Sequence, residues 1–493
     1  DDIDINHSSI YQYLSSTDQY YGIFQIESGV TKEVVNKMGP RNIDDLAASL
    51  AIGRPGSLKF KDDLIAYVKT GKMKEVFPSL DEILRPTGGI VIYQETINEV
   101  CQKIYGMSAV DSDEVRRAIS KKVREDMAKW EPVLYQNGEA RGVPKQVTEH
   151  FWQTCNASAD YLFSQNHCYA YTYITAQTAY LKANHTRAFM LSLFKMARHE
   201  ANTQECISQI ISECRKIGIE VFPPDILKSE PDFSIEKNVE TGSEYIRFGL
   251  SHIRGISDLT MSKLAAFQRN TFSSKLEVFE AAKAAGVNIA ILASLILSGC
   301  LSWKGVSRTK LLLEAQLYGL LSDTQKTKVK QFIGTNNWDL IETLRLLTTK
   351  VNEKGKPLIP EKQMDTLRRN YAPYFEMYQH NSRNEELASY MHEMHYLGYS
   401  FSSTLHKIYS RKVIGLVEVS DLLKRGKAHA ERLAKLAKGE KAPWMDPVTF
   451  VCHVMESKIM FSQKNGTPYL KLMLADDSGT VRALLYGAEK VEV

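Results

Sequence analysis

The chain has 493 residues, 43% hydrophobic and 24% charged, with a net charge of +4. That length is too great for one hydrophobic core, so roughly three to five domains are expected. The charge is too slight for a uniformly basic nucleic-acid binder, and any such surface must be local. The seven cysteines form no CxxC pair and no Cys/His cluster at zinc spacing. They read as the reduced thiols of a cytoplasmic protein. The longest apolar run, Asn288 to Leu297, is too short to span a bilayer and reads as a buried helix. The acidic start, Asp1-Asp2-Ile3-Asp4, is unlike a signal peptide. It lacks an initiating Met and begins in mid-pattern, as a fragment or a processed piece would.

Residues 1–38 give short mixed elements. Tyr20 to Glu27 alternates as a strand does, and a helix is expected from Val30 to Met38. Residues 41–215 follow helical periodicity. Its breaks fall at Gly53-Arg54-Pro55-Gly56, Pro86-Thr87-Gly88-Gly89, Asn137-Gly138 and Gly142-Val143-Pro144. Pro223-Pro224-Asp225 is a connector. Residues 245–303 carry two short helical units, each with a small-residue turn. Residues 304–385 are helical, rich in Lys and Leu, and show no motif. The stretch 412–442 ends in a basic helix, Lys424 to Lys441. After Pro447 the period becomes two: Phe450, Cys452, Val454, then Tyr469, Leu472, Leu474, then Val481, Leu484, Tyr486. With turns at Asn465-Gly466 and Ser478-Gly479 this makes about three strands, too few to close a barrel.

Ser112 to Trp130 reads as one helix. Asp111, Asp113 and Glu114 suit its positive N-terminus. Val115, Ile119 and Val123 form its apolar stripe. Arg116, Arg117, Lys121, Lys122 and Arg124 put five cations within nine residues. A rigid helix with that set can hold a polyphosphate. A solvated basic face is the plainer alternative. Asp160 to Tyr171 reads as a short loop with Asn166, His167 and four aromatics. It leads into a helix through Gln177, Tyr180 and Lys182. Such rings stack on bases while His and amide groups contact phosphate or sugar. An aromatic core segment with one satisfied His is the alternative. Gly53 to Gly56 presents Arg54 on a tight turn. Lys69-Thr70-Gly71-Lys72 lacks the upstream Gly of a phosphate-binding loop, which argues against a P-loop ATPase.

Six pieces in order carry a resemblance. They are Gly22-Ile23-Phe24-Gln25-Ile26-Glu27-Ser28, Gly53-Arg54-Pro55-Gly56, Gly89-Ile90-Val91-Ile92-Tyr93-Gln94-Glu95, Arg116-Arg117-Ala118-Ile119-Ser120-Lys121-Lys122, His167 to Tyr171, and Phe222-Pro223-Pro224-Asp225-Ile226. Together they resemble the family C replicative DNA polymerases, the alpha subunit of bacterial DNA polymerase III. The likeness is strong over 20–235, fair over 245–303 and weak over 304–385. It returns in Tyr396-Leu397-Gly398 and in the strands after Pro447. It implies a multidomain α+β chain. Residues 1–38 would end a palm and enter the fingers, and 39–226 would be mainly helical, nucleotide-binding fingers. Residues 227–303 would be a tandem helix-hairpin-helix region that binds DNA, and 304–385 a helical insertion. Residues 386–446 would be a connector with the basic helix, and 447–493 a truncated, partial OB-fold β-barrel.

By this resemblance Arg116 and Arg117 match the arginines that hold the triphosphate of the incoming nucleotide. Lys121 and Lys122 continue that surface, and Arg54, His167 and Tyr171 belong near it. Arg254-Gly255-Ile256 opens a helix and Ser298-Gly299 closes one, similar to hairpins whose backbone N–H groups approach a DNA phosphate. A helix-turn-helix packing unit is the alternative. Lys458, Lys464, Lys471 and Arg482 are candidate backbone contacts on OB-like strands. Two departures stand out. Gln165 replaces the family's usual Lys, which removes a cation. The family's palm aspartates, which bind Mg2+, lie upstream of Phe24-Gln25. Here the upstream acids Asp1, Asp2, Asp4 and Asp18 sit in no Pro-Asp-x-Asp-like motif. The implied protein is therefore a polymerase part with no catalytic or metal-ligating residue of its own, with Mg2+ at a palm elsewhere. Its implied partners are primer-template DNA, dNTPs, a palm-bearing N-terminal portion or subunit, a sliding clamp and other replisome proteins, with no membrane. Gln331-Phe332-Ile333 is a poor match to a clamp-binding peptide. The implied location is the cytoplasm of a bacterium, or of the bacterial host of a virus. A non-catalytic DNA-binding paralogue or a replication scaffold is the alternative, and neither has need of a triphosphate site.

Overall fold

The structure, a computed structural model, describes all residues except 1, 28, 54–56, 74, 122–123, 159–161, 269–270, 436–445, 463–465 and 487–493, and omits the side chains of 121, 124, 157 and 158. The chain forms two compact units, Asp1–Leu193 and Phe194–Val493.

The first unit is helical among the described residues. Tyr20 to Glu27 is a run of turns, where a strand was expected. The reason is its period. Tyr20, Ile23 and Ile26 are fully buried at every third position. Each step is closed by a backbone bond, Ile23 N–H to Tyr20 at 2.9 Å and Ile26 N–H to Ile23 at 3.3 Å. Gln25 takes a left-handed φ of 67° to allow it. The following helix, Gly29–Met38, is where it was expected.

The single helix expected from Ser112 to Trp130 is two. An arginine helix, Ala109–Lys121, is followed by Arg124–Ala140. Val115, Ala118 and Ile119 of the first and Trp130 and Leu134 of the second enter one core. Lys129 Nζ of the second lies 3.7 Å from Glu114 Oε2 of the first, whereas about 22 Å of axis would separate these positions along one straight helix. The Asp160–Tyr171 segment is also shorter as a loop than expected. A histidine helix, Gln165–Asn184, starts within it. Its buried stripe is Cys168, Thr172, Thr175, Ala176, Ala179 and Lys182, at helical spacing but of small or polar residues.

The second unit opens with a small sheet, β1 (Val221–Phe222), β2 (Ser234–Lys237) and β3 (Glu244–Arg247). The order is β1-β3-β2, with β1 parallel and β2 antiparallel to β3. Three short helices follow, Asp258–Gln268, Lys275–Ala284 and Ile289–Leu297. The last is the apolar run, capped by the Asn288 side chain, with Ile291, Leu292, Leu295 and Ile296 buried. Residues 304–385 are helical, with helices including Arg308–Leu320, Leu340–Thr349 and Glu361–Ser382. A buried ion pair, Lys275 with Glu314, ties this region to the short helices.

A connector helix, Glu385–Leu397, leads through Leu405–Ser410 to the basic helix, Val419–Ala434. The basic helix begins earlier than Lys424, and its expected end at Lys441 lies outside the described residues. Three antiparallel strands close the chain: β4 (His453–Phe461), β5 (Pro468–Asp476) and β6 (Gly479–Tyr486), in sequence order. Neither sheet closes into a barrel among the described residues. The β5–β6 turn fastens this sheet to the helices before it. Asp476 accepts the Val419 N–H at 2.8 Å, and Asp477 accepts the Leu405 N–H at 3.0 Å.

Candidate functional site

In the first unit four of the six sequence pieces are linked in series: Arg116 bonds Gln94, Tyr93 lies 6.3 Å from Tyr169, and Tyr171 lies 5.3 Å from Phe24. Ile90, Val91, Ile92 and Tyr93 are buried, and Tyr93 forms a parallel bridge with Phe163. The Phe163 N–H donates to Ile92 and the Gln94 N–H to Phe163, each at 3.0 Å. The Gln94 side chain then joins both flanking elements. Its Nε2 donates to the Leu162 carbonyl at 3.0 Å, and its Oε1 accepts from Arg116 Nη1 at 2.7 Å. Next to it, the Glu95 carboxylate accepts from the Ser164 hydroxyl at 3.0 Å and the Gln165 N–H at 2.8 Å. A carboxylate there satisfies an orphan donor and the positive end of the histidine helix. Gln165 is thus fixed through its backbone.

On the arginine helix, Asp113 holds both arginines. Its two oxygens take Arg116 Nε and Arg117 Nε, each at 2.8 Å. Arg116, first, and Arg117 keep its carboxyl below the usual range. Arg116 is 21% exposed and Arg117 is 63% exposed. Arg116 is therefore a fixed fork and Arg117 a reaching one. That pairing suits an anion with several oxygens, such as a phosphate chain.

An aromatic ladder runs along the start of the histidine helix. Phe163 lies 5.5 Å from His167, His167 lies 4.3 Å from Tyr171, and Tyr171 lies 5.3 Å from Phe24. His167 and Tyr171 are exposed. Phe24 is placed from two directions. Its N–H donates to the Thr178 hydroxyl at 3.2 Å. Lys182, fully buried, donates to the carbonyls of Gln19 and Tyr21 at 2.8 and 2.7 Å. The residues reasoning from sequence passed over are Gln94, Glu95 and Asp113. Gln94 and Glu95 lay inside a quoted motif, and that was their only signal. Arg54, Lys122 and the Lys121 side chain lie outside the described residues.

In the second unit Arg254 is exposed, its N–H bound to the Tyr396 carbonyl at 2.9 Å. Gly255, at φ 89°, is exposed just before the helix Asp258–Gln268. Ile256 is buried and anchors the turn. Gly299 differs from the expectation of an N–H open to phosphate. It sits at a helix end, its N–H is spent on the Ile296 carbonyl at 3.0 Å, and the Arg308 guanidinium lies 2.5 Å from where a Cβ would stand. On the last sheet Lys471 is exposed and pairs across from Lys458. Arg482, opposite Met473, shares that face. Lys464 lies outside the described residues. No group of three or more His, Cys, Asp or Glu among the described residues is placed to hold a metal ion. No helix among them is long and apolar enough to cross a membrane.

Comparison with known proteins finds two matching regions. Residues 1–142 match the bacterial DNA polymerase III alpha subunit finger domain, and residues 218–311 match a helix-hairpin-helix motif. DNA polymerase III subunit alpha of Aquifex aeolicus is 31% identical over 298 residues, covering 59% of this chain and 25% of that protein. The Campylobacter jejuni protein of that name is 33% identical over 313 residues, covering 63% and 26%. The Helicobacter pylori protein is 34% identical over 261 residues, covering 52% and 21%. The chain thus spans about a quarter of the length of these curated relatives. Over its two matched regions the chain is thus similar to the finger domain and to a helix-hairpin-helix motif, and it resembles the alpha subunits of bacterial DNA polymerase III.

Proposed function

We propose that this chain is the nucleotide-gripping and DNA-holding part of a template-directed replicative DNA polymerase in the bacterial cytoplasm. The reaction is nucleotidyl transfer to a primer 3′-hydroxyl. Arg116 and Arg117 hold the dNTP triphosphate, and His167 and Tyr171 border the nucleotide. The observation that carries this reading is the Gln94 side chain, which bonds the arginine helix on one side and the Leu162 carbonyl, beside the histidine helix, on the other. A protein that only bound DNA would have no use for a fork-and-clamp of that kind. Residues 39–226 act as the fingers in this reading. Arg254 and Gly255 approach the DNA backbone at a helix start. The β4–β6 meander is the opening of an OB-fold, with Lys471 toward a single strand. A palm-bearing portion supplies the metal-binding carboxylates, and a sliding clamp and other replisome proteins complete the assembly.

The test is reconstitution with the palm-bearing portion and a primer-extension assay. Replacing Arg116→Glu and Arg117→Glu together should slow incorporation about 100-fold, as expected on losing charge aimed at a phosphate chain. Circular dichroism checks that the fold is retained. Unchanged incorporation refutes the assignment.

A further inference from the structure

Two of the sequence motifs have no part in the arginine–histidine site or in the short-helix hairpins: Phe222-Pro223 and Tyr396-Leu397-Gly398. They come together in the second unit. Phe222 and Pro223 form one wall of a cleft of about 770 Å³, with the end of the helix Thr203–Lys216. Tyr399, Phe401 and Lys407 form the other, directly after the Gly398 motif. We propose that this cleft is a second nucleotide site, which takes one base and its phosphate.

The volume falls within the roughly 300–1,000 Å³ typical of small-molecule sites. The walls supply both halves of nucleotide recognition. Phe222, 36% exposed, and the part-exposed Phe401 line the cleft with rings that suit base stacking, while Tyr399, 9% exposed, backs the wall. The cations are Arg215, which lies 5.7 Å from the Tyr399 ring centroid, and the exposed Lys407. Glu220 is the one acid on the lining. A phosphate held by Arg215 and Lys407 leaves its base beside the rings.

The cleft is also rigid, which a site requires. Gly398 has φ 78°, and a Cβ there would stand 2.1 Å from the Gln204 carbonyl oxygen. Only glycine lets the connector lie directly on the helix Thr203–Lys216. The turn that follows is fixed from inside by Glu393, which is buried. One of its oxygens accepts from the Ser400 hydroxyl, the Phe401 N–H, the Ser402 N–H and the Ser402 hydroxyl at 2.8, 2.7, 2.9 and 3.0 Å. Its other oxygen meets Arg308 at 2.6 Å. Those donors are therefore spent inward, and Arg215 and Lys407 are left as the cleft's cations.

The base and phosphate come from a free nucleotide or from a single strand, and one experiment separates the two. An oligonucleotide carrying 4-thiothymidine is photo-cross-linked to the full chain, and the adduct is mapped by peptide mass spectrometry. The adduct is expected on peptides containing Phe222, Tyr399 or Phe401. Phe222→Leu should lower its yield about tenfold, the scale of one lost base contact, and Lys407→Glu should lower it about tenfold by reversing a charge at the phosphate. Arg345→Glu, an exposed charge elsewhere in the unit, should leave it unchanged. Loss of the adduct on adding dAMP assigns the site to free nucleotide, and persistence assigns it to a strand. No adduct on those peptides, or a yield indifferent to Lys407→Glu, overturns the proposal. Neither result bears on Arg116 and Arg117, whose test is primer extension.

Discussion

Arg116 donates to the side-chain oxygen of Gln94 at 2.7 Å across 22 residues of sequence. Because the Gln94 amide also donates to Leu162, one neutral side chain sets the spacing of two functional elements. Gln94→Leu keeps the volume and removes both bonds. It should cost about 1–2 kcal/mol of stability in urea denaturation, the scale of lost bonds to buried or charged partners. Nucleotide affinity should fall while the arginines themselves remain. Equal affinity in the variant would show that Gln94 does not position the arginine helix.

Three histidines in the second unit are held neutral by burial. His252, His392 and His453 all have pKa values below the ordinary 6.5, with burial the leading cause for each. Below the unfolded pKa, the unfolded chain binds protons that the folded chain refuses. Stability contributed by these groups is therefore complete above about pH 6.5 and is lost as pH falls toward the folded values. Melting temperature should drop on going from about pH 7.5 to about pH 5.5. His252→Gln should flatten that drop. A profile that stays equally steep in this variant would mean the pH dependence arises elsewhere.

Gly398 lies against the Gln204 backbone, where a Cβ would be 2.1 Å from the carbonyl oxygen. Gly398→Ala adds both that collision and a left-handed φ on a residue with a Cβ. A loss of at least about 2 kcal/mol is expected from chemical denaturation. Gly415, also at positive φ, has nothing within 4 Å. Gly415→Ala should cost less, so the difference between the two measures the close approach.

Lys275 and Glu314 form an ion pair with side chains 7% and 1% exposed. Glu314 also accepts the Leu340 N–H at 3.2 Å. Lys275→Met alone leaves a buried carboxylate unpaired and should cost about 3–5 kcal/mol. Adding Glu314→Gln removes the stranded charge and keeps an acceptor for Leu340. The double variant should therefore be more stable than the single one in the same denaturation assay.

Sequence patterns read well wherever the burial is local and apolar. The helix Ile289–Leu297 followed from its apolar run. The final meander followed from period two and from the turn at Ser478-Gly479; Asn465 lies outside the described residues. Reading failed where another signal was needed. Tyr20, Ile23 and Ile26 repeat every three residues, and that spacing was taken for alternation. The histidine helix buries Thr and Ala, which carry little hydrophobic contrast. The strand β1 has two residues and pairs with Ile246 and Arg247, so no local pattern marks it. The site divides the same way. Charge density marked the arginine helix and the family resemblance singled out Arg116 and Arg117 on it, whereas Glu95 was passed over because the groups it holds, Ser164 and Gln165, lie 69 and 70 residues away.

Asp476 and Asp477 are neighbours in sequence, yet each grips the first N–H of a different helix, Val419 of the basic helix and Leu405 of the short one. The turn thereby works as a two-pronged clasp. Force applied along β5 and β6 is divided between two helices, so the sheet and the basic helix travel as one lever. A nucleic acid that pulls on Lys471 would tug the cationic face of the basic helix along with it.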